Sequence, residues 1–284
     1  VIVGQPLPPG WAGKCWACWQ AAQASRNPWL LFLDADTAIA PELIDTLVAR
    51  AEQCDRDFLT LLPFLELGSV AERVLMPAFV ALIQAVFPFD LVNDPRSPLA
   101  MANGQCILIR RATYFAVDGH AAVRGSVLED VSLARIVKHG GHRTEVVAAE
   151  DLLRVRMYTS LAEVSEGLRK NAWAGYRAGG WRSAWGGTRQ AFLALTPSLL
   201  VIGGIVALRR ADPRAPLLLA FGALQWTITS VYWGFVVARL NRLNPLWGAL
   251  LPVGTLGYFV LAGLAWISIR RGTGVQWKGR VYQD

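Results

Sequence analysis

Leu30-Leu31-Phe32-Leu33-Asp34-Ala35-Asp36-Thr37 is an apolar run of strand length that stops at two carboxylates one residue apart. The run predicts a buried strand, and the acidic pair predicts the loop at its carboxyl end. Outward from it, Pro41-Glu42 opens a helix through about Ala51, and Phe58–Pro63 reads as another strand. Gln105–Ile109 is strand-like, Arg111–Val117 helix-like, and Asp130–Lys138 helical before the Gly140-Gly141 stop. Strands alternating with helices predict an α/β sheet whose ligands bind at the carboxyl ends of its strands. Two carboxylates spaced as Asp34 and Asp36 are can both reach a hard divalent cation. Mg²⁺ or Mn²⁺ held that way keeps positions open for phosphate oxygens. The bland alternative is an ordinary acidic turn after a strand.

The remaining chain is of another kind. Of the whole chain's 284 residues 54% are hydrophobic and 17% charged, which argues against an ordinary soluble protein and excludes disorder. Residues 1–190 carry 19 Lys/Arg against 19 Asp/Glu, whereas 191–284 carry 9 against 2. The formal charge of +7 therefore flanks the apolar C-terminal third and forms no basic stripe for nucleic acid, which is set aside as a partner. Stretches 190–208, 215–238 and 243–269 lack any charge. About 20 apolar residues span the hydrocarbon core as a helix, so the second and third suffice and the first only just. The expected layout is a site-bearing domain over 1–160, interfacial linker helices over 161–190, and two to three transmembrane helices (about 191–208, 215–238 and 245–269) with a basic tail. Val74–Phe89, interrupted by Pro77, is too short to cross and reads as a helix lying in the membrane surface or in a core. Four cysteines at irregular spacing make no disulfide framework, and Cys15-x-x-Cys18 lacks a second ligand pair for zinc.

A second acidic pair, Glu129-Asp130, opens the helix after a Gly-containing loop. Alone it reads as favourable helix capping. In combination with Asp34 and Asp36, and with Gly104-Gln105 heading a strand between them, it supplies what sugar transfer from a nucleotide diphosphate needs. A cation neutralises the departing diphosphate, and a separate carboxylate takes the proton of the attacking hydroxyl as the anomeric carbon becomes oxocarbenium-like.

Through most of its length the chain resembles the membrane-associated family 2 glycosyltransferases. Pro9-Gly10-Trp11-Ala12-Gly13-Lys14 with Trp16-Ala17 is similar to the segment preceding their metal strand, Leu33–Thr37 to their metal motif, and Glu129-Asp130 to the pair whose Asp is the base. Val92-Asn93-Asp94-Pro95, Asn103-Gly104-Gln105, Gly119-His120, Arg156-Met157-Tyr158, Gly167-Leu168-Arg169-Lys170-Asn171 and Trp277-Lys278-Gly279-Arg280-Val281-Tyr282 resemble the branch acting on terpenoid lipids, such as carotenoid glucosyltransferases and hopanoid-associated glycosyltransferases. The resemblance implies a partial GT-A (Rossmann-like nucleotide-diphospho-sugar transferase) domain without the family's first strands, an expected N-terminal truncation that removes the residues selecting the nucleotide base. It also implies metal-dependent, inverting single displacement from a UDP-glucose-like donor to the hydroxyl or carboxyl of a carotenoid or other terpenoid lipid. A polyprenyl-phosphate or hopanoid acceptor is the alternative.

By the resemblance Asp130 is the general base with Glu129 beside it. Asp34 and Asp36 hold Mg²⁺ or Mn²⁺ and the donor, Lys14, Arg169 and Lys170 bind the donor, and Gly104 and Gln105 contact the acceptor. Gly167–Asn171 stands where processive synthases carry Q-x-x-R-W, favouring a single transfer over polymer extrusion. Nucleotide sugars place the catalytic domain on the cytoplasmic side of the plasma membrane, although basic residues flank every span and give no topology vote. Two other classes remain open: a phosphohydrolase of the haloacid dehalogenase type, whose D-x-D-x-T/V motif Thr37 misses by one position, and a non-catalytic membrane scaffold.

Overall fold

The computed structural model describes residues 1–277 and 280–282, with side chains described except at 177–179, 182, 183, 277 and 280–282. It divides into two compact units, one of residues 1–65 and 87–156, the other of residues 66–86 and 157–284.

The first unit runs α1 (Gly13–Ala24), β1 (Trp29–Leu33), β2 (Thr37–Ile39), α2 (Leu43–Gln53), β3 (Phe58–Leu62) and β4 (Phe64–Leu65). The second unit's first helix, α3 (Val70–Val86), interrupts it, and the first unit then resumes with α4 (Phe89–Asn93), β5 (Cys106–Arg110), α5 (Arg111–Ala116), α6 (Gly119–Ala122), α7 (Glu129–His139), β6 (Thr144–Ala148) and β7 (Leu153–Val155). A mixed sheet has the order β1-β5-β3-β6, with β5 antiparallel to both neighbours and β3 parallel to β6; β2-β7-β4 form a smaller sheet. The expected mixed α/β architecture is present.

Period-2 alternation explains why its strands are apolar throughout. Leu30, Phe58, Ile107 and Ile109 face Tyr114, Leu133 and Val137 on one side of the sheet, while Leu59, Leu61, Cys106 and Leu108 face Leu43, Leu47 and Ala51 of α2 on the other. Each fully buried Leu, Ile or Phe contributes about 1.5–3 kcal/mol, so both faces are committed to the core. Only the strand ends remain for chemistry.

Gly119-His120 is explained by this core. The Tyr114 hydroxyl lies 2.9 Å from His120 Nδ1 and accepts the His120 backbone N–H at 3.1 Å. Burial pushes the imidazole down to about 4, keeping it neutral. Gly119 has φ +40°, and a Cβ there would overlap the Tyr114 ring. Gly119→Ala should therefore combine overpacking with left-handed strain and destabilise the protein by about 2–4 kcal/mol, measured as a lowered thermal midpoint in detergent.

The C-x-x-C is packing too. Cys15 is buried and Cys18 half-buried on α1, both free. Burial raises Cys15 to about 12, so it presents no reactive thiolate.

The second unit contains α3, α8 (Leu161–Gly179), α9 (Trp181–Arg209), α10 (Ala215–Asn241), a 3₁₀ turn (Pro245–Leu250), α11 (Leu251–Arg270), and a hairpin of β8 (Val275–Trp277) with β9 (Arg280–Tyr282). Lys278 and Gly279 of the tail lie outside the described residues. Ser160 caps α8, accepting from Glu163 N, while Glu163 Oε2 accepts from Thr159 N. Gly180, at φ 52°, breaks the chain between α8 and α9. Ala184–Arg209, Ala215–Asn241 and Pro245–Arg270 are long and apolar enough to cross a membrane. The first exceeds its charge-free stretch because Arg189 lies within the helix.

Small residues let these helices approach. A Cβ on Gly204 would come within 2.7 Å of Leu219, and one on Gly222 within 2.9 Å of Val201 N. Their outer faces are apolar and bare, as at Leu217 and Phe235, about 70% exposed.

The helix expected over Val74–Phe89 is present as α3, which runs through Pro77. The missing N–H and ring clash cost helix stability, but Ala78 and Ala81 pack with Ala194 of α9 and Leu251 of α11. A Cβ on Gly254 of α11 would overlap the Val74 carbonyl of α3. These contacts bury one face of α3 against α9 and α11, which suits a core helix and a helix lying in the membrane surface alike. Gly167 and Tyr158, both quoted as motif residues, are likewise a packing pair, since a Cβ on Gly167 would overlap the Tyr158 ring.

Candidate active site

The first unit gathers its chemistry where β1 ends and β5 begins. Leu33 pairs with Cys106 as the last rung of their ladder, and one residue beyond, Asp34 N donates to the Gln105 carbonyl at 3.2 Å. The chain then turns: Thr37 N and Oγ1 both donate to the Asp34 carbonyl, at 3.3 and 2.7 Å. This turn lifts Asp36 into solvent and leaves Asp34 half-buried.

Two helix starts face that edge. Ala12 N donates to the Arg124 carbonyl at 2.7 Å, setting α1 against the loop that precedes α7. Lys14, in the first turn of α1, reaches Asp34 Oδ1 at 2.7 Å and Glu129 Oε1 at 2.8 Å. Burial alone would lower its pKa, but the charges of Glu129 and Asp34 outweigh that and hold it above the ordinary lysine value. Lys14 is thus a fixed ammonium joining the D-x-D turn to the E-D helix start.

Asp130, half-buried at the same helix start, is held by neutral donors. Its Oδ2 accepts Gly104 N and its Oδ1 accepts Val131 N, both at 2.8 Å. Burial first, and the Glu129 charge second, push its carboxyl up to about 6; the two N–H donors and Lys14 oppose the shift. A carboxylate with this environment is poised to exchange a proton near neutrality. Gly104 stands between the two charged groups, where a Cβ would lie 3.0 Å from Lys14 Nζ and 3.1 Å from Asp130 Oδ2.

Lys14, Asp34, Gly104, Gln105, Glu129 and Asp130 therefore share one edge of the sheet. Asp36 sits on the adjacent turn. Arg169 and Lys170 belong to the second unit, on α8, where Arg169 Nη2 donates to Ser268 Oγ of α11 at 2.7 Å. Among the described residues no group of three or more His, Cys, Asp or Glu could by itself hold a metal ion. A two-carboxylate set still suits Mg²⁺ or Mn²⁺, which take one or two protein carboxylates and complete their shells with water and substrate phosphates.

Two further residues support this edge in ways not evident from sequence: Thr60 and Asn103. Thr60 Oγ1, fully buried in β3, accepts Asn103 N at 2.9 Å and lies 3.0 and 3.1 Å from the carbonyls of Asn103 and Cys106. Asn103 Nδ2 donates to the Leu61 carbonyl at 3.1 Å and to Gln105 Oε1 at 2.9 Å. One polar residue inside an apolar strand was the available signal.

Among solved structures the chain is similar to mannosyl-3-phosphoglycerate synthase from Rubrobacter xylanophilus, at 18% identity and a TM-score of 0.32, covering 58% of this chain and 50% of that one. The chain thus spans about half the length of that protein. No curated protein matches it. The family model described as "Glycosyltransferase like family 2" matches residues 1–175, which takes in the whole acidic cluster and more than half of the chain. With that match joined to the mixed α/β unit and its D-x-D and E-D elements, the protein belongs to glycosyltransferase family 2.

Proposed function

We propose that the protein is a membrane glycosyltransferase that moves a sugar from a nucleotide-diphosphate donor to a lipid acceptor by inverting single displacement. The observation that carries this is the convergence of Asp34, Glu129 and Asp130 at one sheet edge, with the Lys14 ammonium joining the first two and Gly104 N held on the third.

In this reading Lys14 stands beside the donor diphosphate and offers it positive charge, while Asp130 takes the acceptor's hydroxyl proton as that oxygen attacks the anomeric carbon. The bond to the diphosphate breaks as the new glycosidic bond forms. Because attack and departure occur on opposite faces, configuration inverts and no covalent sugar–enzyme species is required. Glu129, held by Lys14, keeps negative charge next to Asp130 and so raises its basicity. Gly104 and Gln105 form the acceptor side of the edge. Asp34 and Asp36 would hold Mg²⁺ or Mn²⁺, which when bound offsets the negative charge developing on the leaving diphosphate. From the resemblance, Arg169 and Lys170 are further donor contacts.

Three apolar helices support a membrane location and a lipidic acceptor. A carotenoid or related terpenoid is the acceptor class implied by the motif resemblances, with a polyprenyl phosphate or hopanoid next, and the cytoplasmic face of the plasma membrane is the side on which nucleotide sugars are found. The test is to incubate full-length protein in membranes with a panel of nucleotide sugars and Mn²⁺ and to identify the product by mass spectrometry. A lipid heavier by one hexose is expected; recovery of only free sugar and nucleotide would refute transfer to lipid. Asp36→Ala should weaken Mn²⁺-dependent donor binding by about tenfold or more, read by titration of the nucleotide.

A further inference from the structure

Asp130 can act as a base only if its carboxylate is ionised and correctly turned, and the groups around it divide into charges and dipoles. Glu129 on its own helix opposes ionisation, and Lys14 from α1, shared with Asp34, favours it. The remaining support comes from two backbone N–H groups. Val131 N is carried by α7 itself. Gly104 N is not in a helix or strand, so something else must aim it.

That something lies behind it. Thr60 comes from the centre of β3, a strand locked on one side to β5 and on the other to β6. Its hydroxyl pins residue 103 through N–H and carbonyl together. The Asn103 side chain uses both amide hydrogens, one on the Leu61 carbonyl and one on Gln105 Oε1, while its Oδ1 accepts Gln105 N at 3.4 Å. Residues on both sides of Gly104 are thereby tied to the rigid sheet, and the Gly104 N–H is directed onto Asp130. Neither Thr60 nor Asn103 makes a hydrogen bond to Asp130 itself.

We propose that Thr60 and Asn103 are positioning residues for the general base: they fix the Gly104 N–H on Oδ2 of Asp130, giving the carboxylate one orientation and one permanent dipole. The proposal rests on the reading of Asp130 as the base. A hydrogen bond to the charged form favours that form, so loosening this one raises the pH at which Asp130 gives up its proton. It also lets the carboxylate rotate away from the attacking oxygen.

The test uses full-length protein in membranes and the pH dependence of kcat for sugar transfer. Thr60→Val keeps the shape and removes the hydroxyl; Thr60→Ser keeps the hydroxyl. We expect Thr60→Val to move the acid limb upward by about half to one pH unit and to lower kcat about tenfold at its plateau, with donor KM within about twofold of wild type. Thr60→Ser should restore both. Asn103→Ala should act in the same direction and more strongly. Thermal midpoints identify the variants that remain folded, and the comparison of Val with Ser at position 60 decides should Asn103→Ala fail to fold. An acid limb unmoved in folded Thr60→Val, or moved equally in Thr60→Ser, overturns the positioning role while leaving the base reading intact. Near-wild-type transfer by Asp130→Asn overturns the base reading, and the proposal falls with it.

Discussion

Asp130→Asn should lower the rate of sugar transfer by about 10²–10⁴-fold, the usual contribution of a positioned general base, while donor affinity should stay within about twofold of wild type. An amide of the same size cannot accept the acceptor's proton, so the attacking oxygen must lose it to water. Donor binding is spared because Asp130 bonds to Gly104 N and Val131 N, whereas Asp34 is the carboxylate held by Lys14. On the proposed reading wild-type activity should have a matching pH profile. The base works when ionised, and burial with the neighbouring Glu129 has raised its carboxyl to about 6. Activity is therefore full above that value and falls as the pH drops through it, roughly two units higher than an ordinary aspartate would dictate. Stopped assays across pH, with nucleotide affinity measured separately, check both halves. Equal losses of turnover and donor affinity in Asp130→Asn would remove Asp130 from the role of base and place it among the donor ligands.

How far the sequence reached this site depended on whether a feature was local. The apolar run at residues 30–33 and the acids after it lie within eight residues, and both the strand and its loop were legible. Element ends drifted by a residue or two: the helix expected from Pro41 begins at Leu43, after a turn in which Leu43 N donates to the Ala40 carbonyl. The E-D pair was legible as a helix start, since carboxylates in a first turn have a physical reason to be there. What was not legible was long-range. The resemblance of Gly10–Lys14 to a family motif singles out Lys14 as a donor ligand, but its pairing with Asp34, 20 residues away, and Glu129, 115 away, has no local mark. Thr60 reads as an ordinary β-branched strand residue until β5 is laid beside it. Val74–Phe89 was legible as a helix in spite of Pro77, but its partners were not, because the residues it packs on lie more than a hundred positions away, at Ala194 and Leu251.

Gly104→Ala should cost about 3–10-fold in turnover with little change in thermal midpoint. The usual explanation for a glycine, a left-handed backbone, does not apply here, for Gly104 is not among the residues with positive φ. The constraint is space. The added methyl would lie 3.0 Å from Lys14 Nζ, 3.1 Å from Asp130 Oδ2 and 3.3 Å from Asp130 Cβ. A lysine end group could ordinarily swing aside, but this one is held by two carboxylates at 2.7 and 2.8 Å, and Asp130 is held by two N–H groups. Whichever yields must give by a few tenths of an ångström, and on the proposed reading that shift moves Lys14 from the D-x-D turn or turns Asp130 from the line of the attacking oxygen. A displacement near 1 Å at reacting atoms costs up to about 10²-fold, so this smaller one should cost less. The two outcomes differ in kinetics, since losing Lys14 raises the donor KM and turning Asp130 lowers kcat alone. Gly104→Val, with a larger branched side chain at the same point, should remove transfer altogether. If Gly104→Ala instead kept wild-type kcat and donor KM, the edge between Lys14 and Asp130 would have room to spare, and the reacting groups would have to lie elsewhere in the protein.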